Sequence, residues 1–252
     1  MVLLARAEAQ KALELFPSEP AAHRVLGAIA AMHDYDWKEA EEQFRLARAS
    51  EPVHPGVRIA YALYYLVPLG RFEEALQEQA EAIAQDPLNA VWRTLRAATF
   101  FFAGMYERAI SEARVGIDLG DRSHLPHGLI AESNFFQGRF AESRESAEEA
   151  FRVAPWDAVA TGFLTHVLMQ AGEKDRAQEL LARLPGMMPS GMVRYLLVAS
   201  EIDAAIDWYE KGVEQQQPFA ALWASAAFLK PLRSSPRWPK LAKMMNLPGI
   251  AS

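Results

Sequence analysis

Four glycines spaced 34 residues apart, Gly70, Gly104, Gly138 and Gly172, constrain this chain more than any other feature. Two positions after them stand Phe72, Tyr106, Phe140 and Lys174; five positions after them stand Ala75, Ala109, Ser143 and Ala177. A motif recurring at this period marks a solenoid of helical hairpins. Glycine takes the left-handed conformation that ends a helix without a Cβ clash. The small residue lets the next helix cross at close range, and the aromatic fills the corner between the two. Ala97, Ala131 and Thr165, with Ala62 one residue early, keep small residues on the preceding helices. Pro17, Pro52, Pro87 and Pro155 stop the second helix of a unit, because proline has no N–H to continue it.

These columns resemble the tetratricopeptide repeat (TPR) family: Leu26-Gly27 matches its Leu-Gly pair, Ala75 and Ala109 its signature alanine, and Pro52, Pro87 and Pro155 its closing proline. The resemblance implies an all-α, right-handed TPR superhelix, an α-solenoid with one partial and six helical-hairpin repeats. The solenoid is expected over residues 1–218, in units of about 1–19 (partial), 20–54, 55–89, 90–123, 124–157, 158–186 and 187–218, with a C-terminal capping segment over 219–252.

The irregular units carry information of their own. Residues 3–16 read as a second helix without its partner, packing through Leu4, Ala5, Ala12 and Phe16 and leaving its other side bare. A TPR helix without its mate suggests that Met1 starts a piece of a longer protein; the alternative is a native cap. Helices are expected over 21–32 and 37–49, with Tyr35 in the place of the turn glycine. Units one and two each hold one extra residue, and Pro68 is expected to break the first helix of unit two. A 35-residue period also suits the RNA-reading pentatricopeptide family, but the acidic charge and the 34-residue spacing downstream argue against it. Unit five is short, so Ala177 and Ala205 stand 28 residues apart, and Ser200 replaces the glycine.

Beyond residue 218 the pattern ends. The segment to Ser252 has no acidic residue and five basic ones, Lys230, Arg233, Arg237, Lys240 and Lys243. Ser235-Pro236 is a helix-start signal, after which Trp238, Leu241 and Met245 share a face. Such a cap covers the last apolar face of a solenoid. Leu232-Arg233-Ser234-Ser235-Pro236-Arg237-Trp238 with Leu247-Pro248 resembles the closing segment of the C-terminal TPR regions of bacterial winged-helix regulators, cyclases or kinases.

Composition narrows the function. The chain has no cysteine, which excludes disulfides and thiolate metal sites, and its net charge of −6 argues against a general nucleic-acid binder. The longest apolar run, 59–69, is too short to span a membrane, so a cytoplasmic protein is expected. His124 and His127 lack a third ligand at a recognisable spacing. Glu132 and His166 lack a nucleophile or an orienting group. Neither an enzyme, a cofactor nor a metal is expected. The basic tail reads as the solvated face of a cap helix.

The inner wall of the superhelix, lined by first helices, offers the binding columns. Phe102, Phe136 and Gln170 form one; Thr94, Gly128 and Gly162 a second; Ala98, Glu132 and His166 a third. The two phenylalanines would anchor a ligand apolarly, unless they wedge between adjacent first helices. The interior glycines, each costing about 1 kcal/mol relative to alanine, imply that something approaches the backbone: a ligand or a neighbouring helix. The family's carboxylate-binding type places lysine, asparagine and arginine in these columns; their absence argues against an acidic C-terminal peptide. The expected function is a protein-interaction scaffold holding a protein or peptide partner in the concave groove. Self-association into a homo-oligomer and sensing of a small ligand or lipid are the alternatives.

Overall fold

The computed structural model describes residues 2–249; Met1 and the last three residues of the expected cap lie outside the described residues. Among the described residues there is no strand, and sixteen α-helices follow one another. A lone α1 (Val2–Leu15) precedes six hairpins: α2 (Pro20–Ile29) with α3 (Trp37–Ala47), α4 (Pro55–Tyr61) with α5 (Phe72–Gln85), and α6 (Ala90–Phe102) with α7 (Tyr106–Asp118). Next come α8 (Leu125–Phe136) with α9 (Phe140–Val153), α10 (Ala158–Gln170) with α11 (Lys174–Arg183), and α12 (Pro189–Val198) with α13 (Ile202–Glu214). The C-terminal segment holds α14 (Pro218–Trp223), α15 (Lys230–Arg233) and α16 (Trp238–Met244).

The hairpins form for the reasons the spacing implies. Gly70, Gly104, Gly138 and Gly172 all sit at positive φ, and Tyr35 and Ser200 take the same left-handed conformation where glycine is missing. Each turn ties off the carbonyls left free at the helix end; Met105 N–H donates to Phe100 O (2.8 Å) and Gly104 N–H to Phe101 O (2.9 Å). The small-residue column Ala40, Ala75, Ala109, Ser143, Ala177 and Ala205 is inaccessible to solvent throughout, as helix crossings require. Side chains start the first helices: Asn89 accepts from Trp92 N–H (3.3 Å) and Asp157 from Ala160 N–H (2.8 Å).

The extra residue of units one and two has a local solution. In both, the first helix ends in a π-helical turn, Ala30–Asp34 and Ala62–Leu66, so the expected continuous helix over 21–32 is α-helical only to Ile29. A π turn absorbs one inserted residue without shifting the flanking packing. The second helix of unit one stops at Ala47, not at residue 49.

Helix α1 departs from expectation in its rotation. It packs on α2 through Ala9, with Arg6 donating to Asp34 at 2.7 Å, whereas Leu4, Ala5 and Phe16 face solvent. The covered stripe is Val2, Arg6, Ala9 and Leu13, spaced i, i+4, i+7 and i+11 on one face. It lies about a quarter-turn round the helix from the centre of the expected stripe of Leu4, Ala5, Ala12 and Phe16. Leu3 and Leu4 at its start and Leu15 and Phe16 at its end are exposed apolar side chains.

The C-terminal segment does more than cap. It covers α13, with Trp238 packed on Tyr209 at 5.6 Å, and Leu241 and Met245 buried as the shared face requires. Helix α16 begins at Trp238 rather than at Ser235-Pro236, whose serine Oγ instead accepts from Arg237 N–H (3.3 Å). The segment then reaches back to the start of the solenoid. Trp37 Nε1–H donates to Met245 O (2.8 Å), Asn246 Nδ2 to Tyr35 O (3.3 Å), and Ser225 Oγ to Val67 O (2.5 Å). One core therefore runs from Ala30 to Met245.

Candidate functional site

The returning segment lies across the turns of units two and three. A Cβ built on Gly70 would stand 3.6 Å from the Ser225 Cβ, and one built on Gly104 only 3.1 Å from the Ala227 Cβ. Phe228 stacks on Phe101 (5.4 Å between centroids) and meets Phe102 at 6.2 Å. The cations of this segment are largely engaged within the chain. Arg233 donates to the carbonyls of Ala224 and Ala226, Arg237 pairs with Asp207 and Glu210, and Lys240 pairs with Glu210. They close the end of α14 and bind the acidic face of α13.

The nine residues of the three columns separate into distinct environments. Ala98, Phe102, Gly128 and Glu132 come together on the wall of a cavity of about 190 Å³. Phe102 is buried there, beneath Phe228 rather than wedged between first helices alone. Phe136 is exposed on the turn rim and stacks on Tyr106 at 5.3 Å. Gln170 is exposed beside a depression formed with Phe135, Phe140, Arg144 and Val167. Thr94 points away from the wall, donating to Asp121 at 2.6 Å. Gly162 is where a neighbouring helix approaches: a Cβ there would lie 2.1 Å from the Gly191 carbonyl oxygen of α12. His166 is buried edge-on to Phe135 (5.5 Å), and burial lowers its pKa.

The cavity holds a charge pair that the columns half-announced. Arg194 Nη1 stands 3.0 Å from Glu132 Oε2, and both residues are more than nine-tenths buried. The guanidinium also lies 3.9 Å from the Phe228 ring centroid and 4.6 Å from that of Trp223, a cation held between aromatic faces. Burial pushes the Glu132 carboxyl up to about 7 against the opposing pull of Arg194, and burial lowers Arg194. His124 and Asp157, 3.5 Å apart, stand where the cavity meets solvent. Burial raises the Asp157 carboxyl, but hydrogen bonds from His124 and the Ala160 N–H outweigh it; His124 is raised in turn.

Arg194 stands six residues before its turn residue Ser200, as Ala98, Glu132 and His166 do before theirs. It is thus the fourth member of their column, displaced from the 34-residue period by the shortened unit five. It is also the lone charge in the apolar stretch 187–200. That signal was available in the sequence. The roles of Trp223 and Phe228 carried no comparable signal.

Fold and rim together define a helical-hairpin solenoid closed on itself by its own C-terminal segment. The tetratricopeptide repeat family model matches residues 137–199, and the fold is that of a TPR superhelix. Similar solved structures include the APC/C Cut9–Hcn1 hetero-tetramer (15% identity, 98% of this chain, 52% of that chain, TM-score 0.61). A Pseudomonas aeruginosa pilF structure matches at 17% identity over 86% of this chain and 96% of that chain, TM-score 0.60. A human IFIT1 dimer with PPP-AAAA matches at 18% identity over 99% of this chain and 66% of that chain, TM-score 0.63. The chain spans about half the length of the matched chain in the Cut9–Hcn1 structure. No helix among the described residues is long and apolar enough to cross a membrane.

Proposed function

We propose that this chain is a non-catalytic protein-interaction scaffold whose docking surface is the open half of its turn rim, at units four and five. The partner is a protein segment that presents aromatic or aliphatic side chains. The supporting observation is a difference between equivalent positions. The turns at Gly70 and Gly104 are covered by Ser225 and Ala227, whereas among the described residues no neighbour stands within 4 Å of a Cβ built on Gly138 or Gly172. Next to the open turns, Phe136 and Phe140 are exposed, with Gln170 and Arg144 beside them to set register by hydrogen bonds. The chain's own segment, anchored by Phe228, is an internal example of what such a rim accepts. The wording of residues 232–238 supports placing the scaffold as the C-terminal partner-binding region of a larger bacterial, cytoplasmic protein.

The test is partner affinity, measured with a partner captured on the immobilised chain. Phe136→Ala and Phe140→Ala are each expected to weaken binding by about 1–3 kcal/mol, as aromatic anchors do. Glu149→Ala, on α9 away from the rim, is expected to leave it unchanged. Unaltered affinity in both phenylalanine variants would contradict the reading. Self-association is the second reading, favoured by the exposed apolar side chains of α1, and a monomer in light scattering at high concentration would count against it.

A further inference from the structure

Gly128 has no packing reason to be glycine. It lies inside α8, where glycine weakens a helix, and a Cβ built on it would meet nothing within 4 Å. Gly162, one unit later, is explained by the Gly191 carbonyl against it. What Gly128 leaves free is the cavity, walled by Phe101, Phe102, Phe163 and Trp223, with Glu132 and Arg194 as its buried polar end. That end is unfinished. Arg194 Nε is buried without a hydrogen bond, and Arg194 Nη1 and Glu132 Oε2, an ion pair at 3.0 Å, make none with each other or with any other group. Buried polar groups ordinarily make hydrogen bonds, and an ion pair that leaves both its donor and its acceptor unbonded on one cavity wall calls for a group that both donates and accepts.

We propose that this cavity is a binding site for an uncharged, ring-sized amphiphile whose polar group carries both a donor and an acceptor, such as a carboxamide. Size sets the first limit: a cavity of about 150 Å³ holds benzene, so about 190 Å³ holds a ring with a small substituent. Charge sets the second. Glu132 pairs with Arg194 and, at the mouth, Asp157 pairs with His124, so a charged ligand would enter a largely apolar chamber whose charges are already paired. A carboxamide oxygen accepts from Arg194 and its N–H donates to Glu132, while the ring packs among the phenylalanines. The site lies apart from the rim of units four and five and stands or falls independently of it. Trp223 and Leu222, on the cavity wall, belong to the C-terminal segment, so an occupied cavity also holds that segment in place.

The experiment titrates the full chain at pH 8 with benzamide, benzoate and benzylamine, read by calorimetry and ligand-observed NMR. Benzamide is expected to bind saturably at one site, and both charged probes at least tenfold more weakly. Gly128→Leu, whose side chain would fill the cavity, is expected to abolish benzamide binding. Gly128→Ala, which places one methyl in open space, is expected to weaken it several-fold while the thermal melt stays cooperative. This smaller variant keeps the test informative if the leucine disturbs folding. Absence of saturable benzamide binding to the wild type would overturn the proposal. So would unchanged binding in the folded Gly128 variants, or a charged probe that binds as tightly as benzamide.

Discussion

Units two and three and units four and five are built from the same repeat, yet their turns have opposite surroundings. At Gly70 and Gly104 the chain's own C-terminal segment crosses within van der Waals reach, and Phe228 fills the space over Phe101 and Phe102. At Gly138 and Gly172 the turns are open, and Phe136 and Phe140 face solvent. All four glycines are demanded by positive φ, but only Gly104 is also pressed by a neighbour's Cβ, at 3.1 Å. The repeat therefore sets the backbone of the rim. What lies outside the repeat decides which part of the rim is free to bind.

The largest expected effect sharpens this contrast through stability. Phe228→Ala removes a buried ring that packs on Phe101 and on the Arg194 guanidinium, and is expected to cost about 3–5 kcal/mol in urea denaturation. Phe140→Ala, on the open rim, is expected to stay within about 0.5 kcal/mol of wild type. Equal costs would erase the distinction between the halves.

A second effect is read from pH. Folding raises the Glu132 carboxyl from its ordinary value to about 7, so between roughly pH 4.5 and pH 7 the folded state holds more protons than the unfolded one. Stability from this group is present at the acid end of that window and is lost as pH rises through 7. The loss is on the order of 3 kcal/mol. Because His166 and His127, both lowered, work in the opposite sense and His124, raised, in the same one, the readout is the difference between wild type and Glu132→Gln. Wild type should lose stability relative to the variant from pH 5 to pH 8. Parallel profiles would mean that Glu132 is not held above its ordinary range.

The smallest effect compares two interior glycines. Gly128→Ala is expected to stabilise the chain by about 1 kcal/mol, since it gains helix propensity and meets no atom. Gly162→Ala is expected to destabilise it, because its methyl would press on the Gly191 carbonyl at 2.1 Å. Thermal melts distinguish the two by sign.

The sequence disclosed whatever repeats. Glycines at one period, small residues five positions on and closing prolines carry the geometry of a hairpin by themselves, so hairpin order and turn positions were legible. The π turns were half legible: a 35-residue spacing shows that a residue was added, but not that Ala30–Asp34 and Ala62–Leu66 would absorb it. Glu132 was legible as a groove residue, whereas its partner Arg194 falls off the 34-residue period in the shortened unit and is legible only when counted back from its turn residue Ser200. Least legible was the path of the C-terminal segment. Trp223 and Phe228 follow no period, and their partners lie in two different units, Arg194 in the last and Phe101 in the third. Thr94 and Gly162 share a column with Gly128, yet α7 and α12 approach them and leave Gly128 bare; that difference arises only from packing.

The central claim, that the C-terminal segment occupies the rim of the early units and leaves the later rim open, has a direct test because the chain contains no cysteine. In Gly70→Cys with Ser225→Cys, the two Cβ atoms would lie 3.6 Å apart, within the range for a disulfide; the cysteine is strained by the positive φ at position 70, and the same strain at position 138 keeps the two pairs comparable. In Gly138→Cys with Ser225→Cys, no neighbour stands within 4 Å of the new Cβ at position 138. Under a glutathione redox buffer, the first pair is predicted to form an intramolecular disulfide in nearly all molecules, seen by mass spectrometry and non-reducing electrophoresis, and the second pair to remain reduced. Equal cross-linking of the two pairs, or a first pair that links only between molecules, would contradict the account.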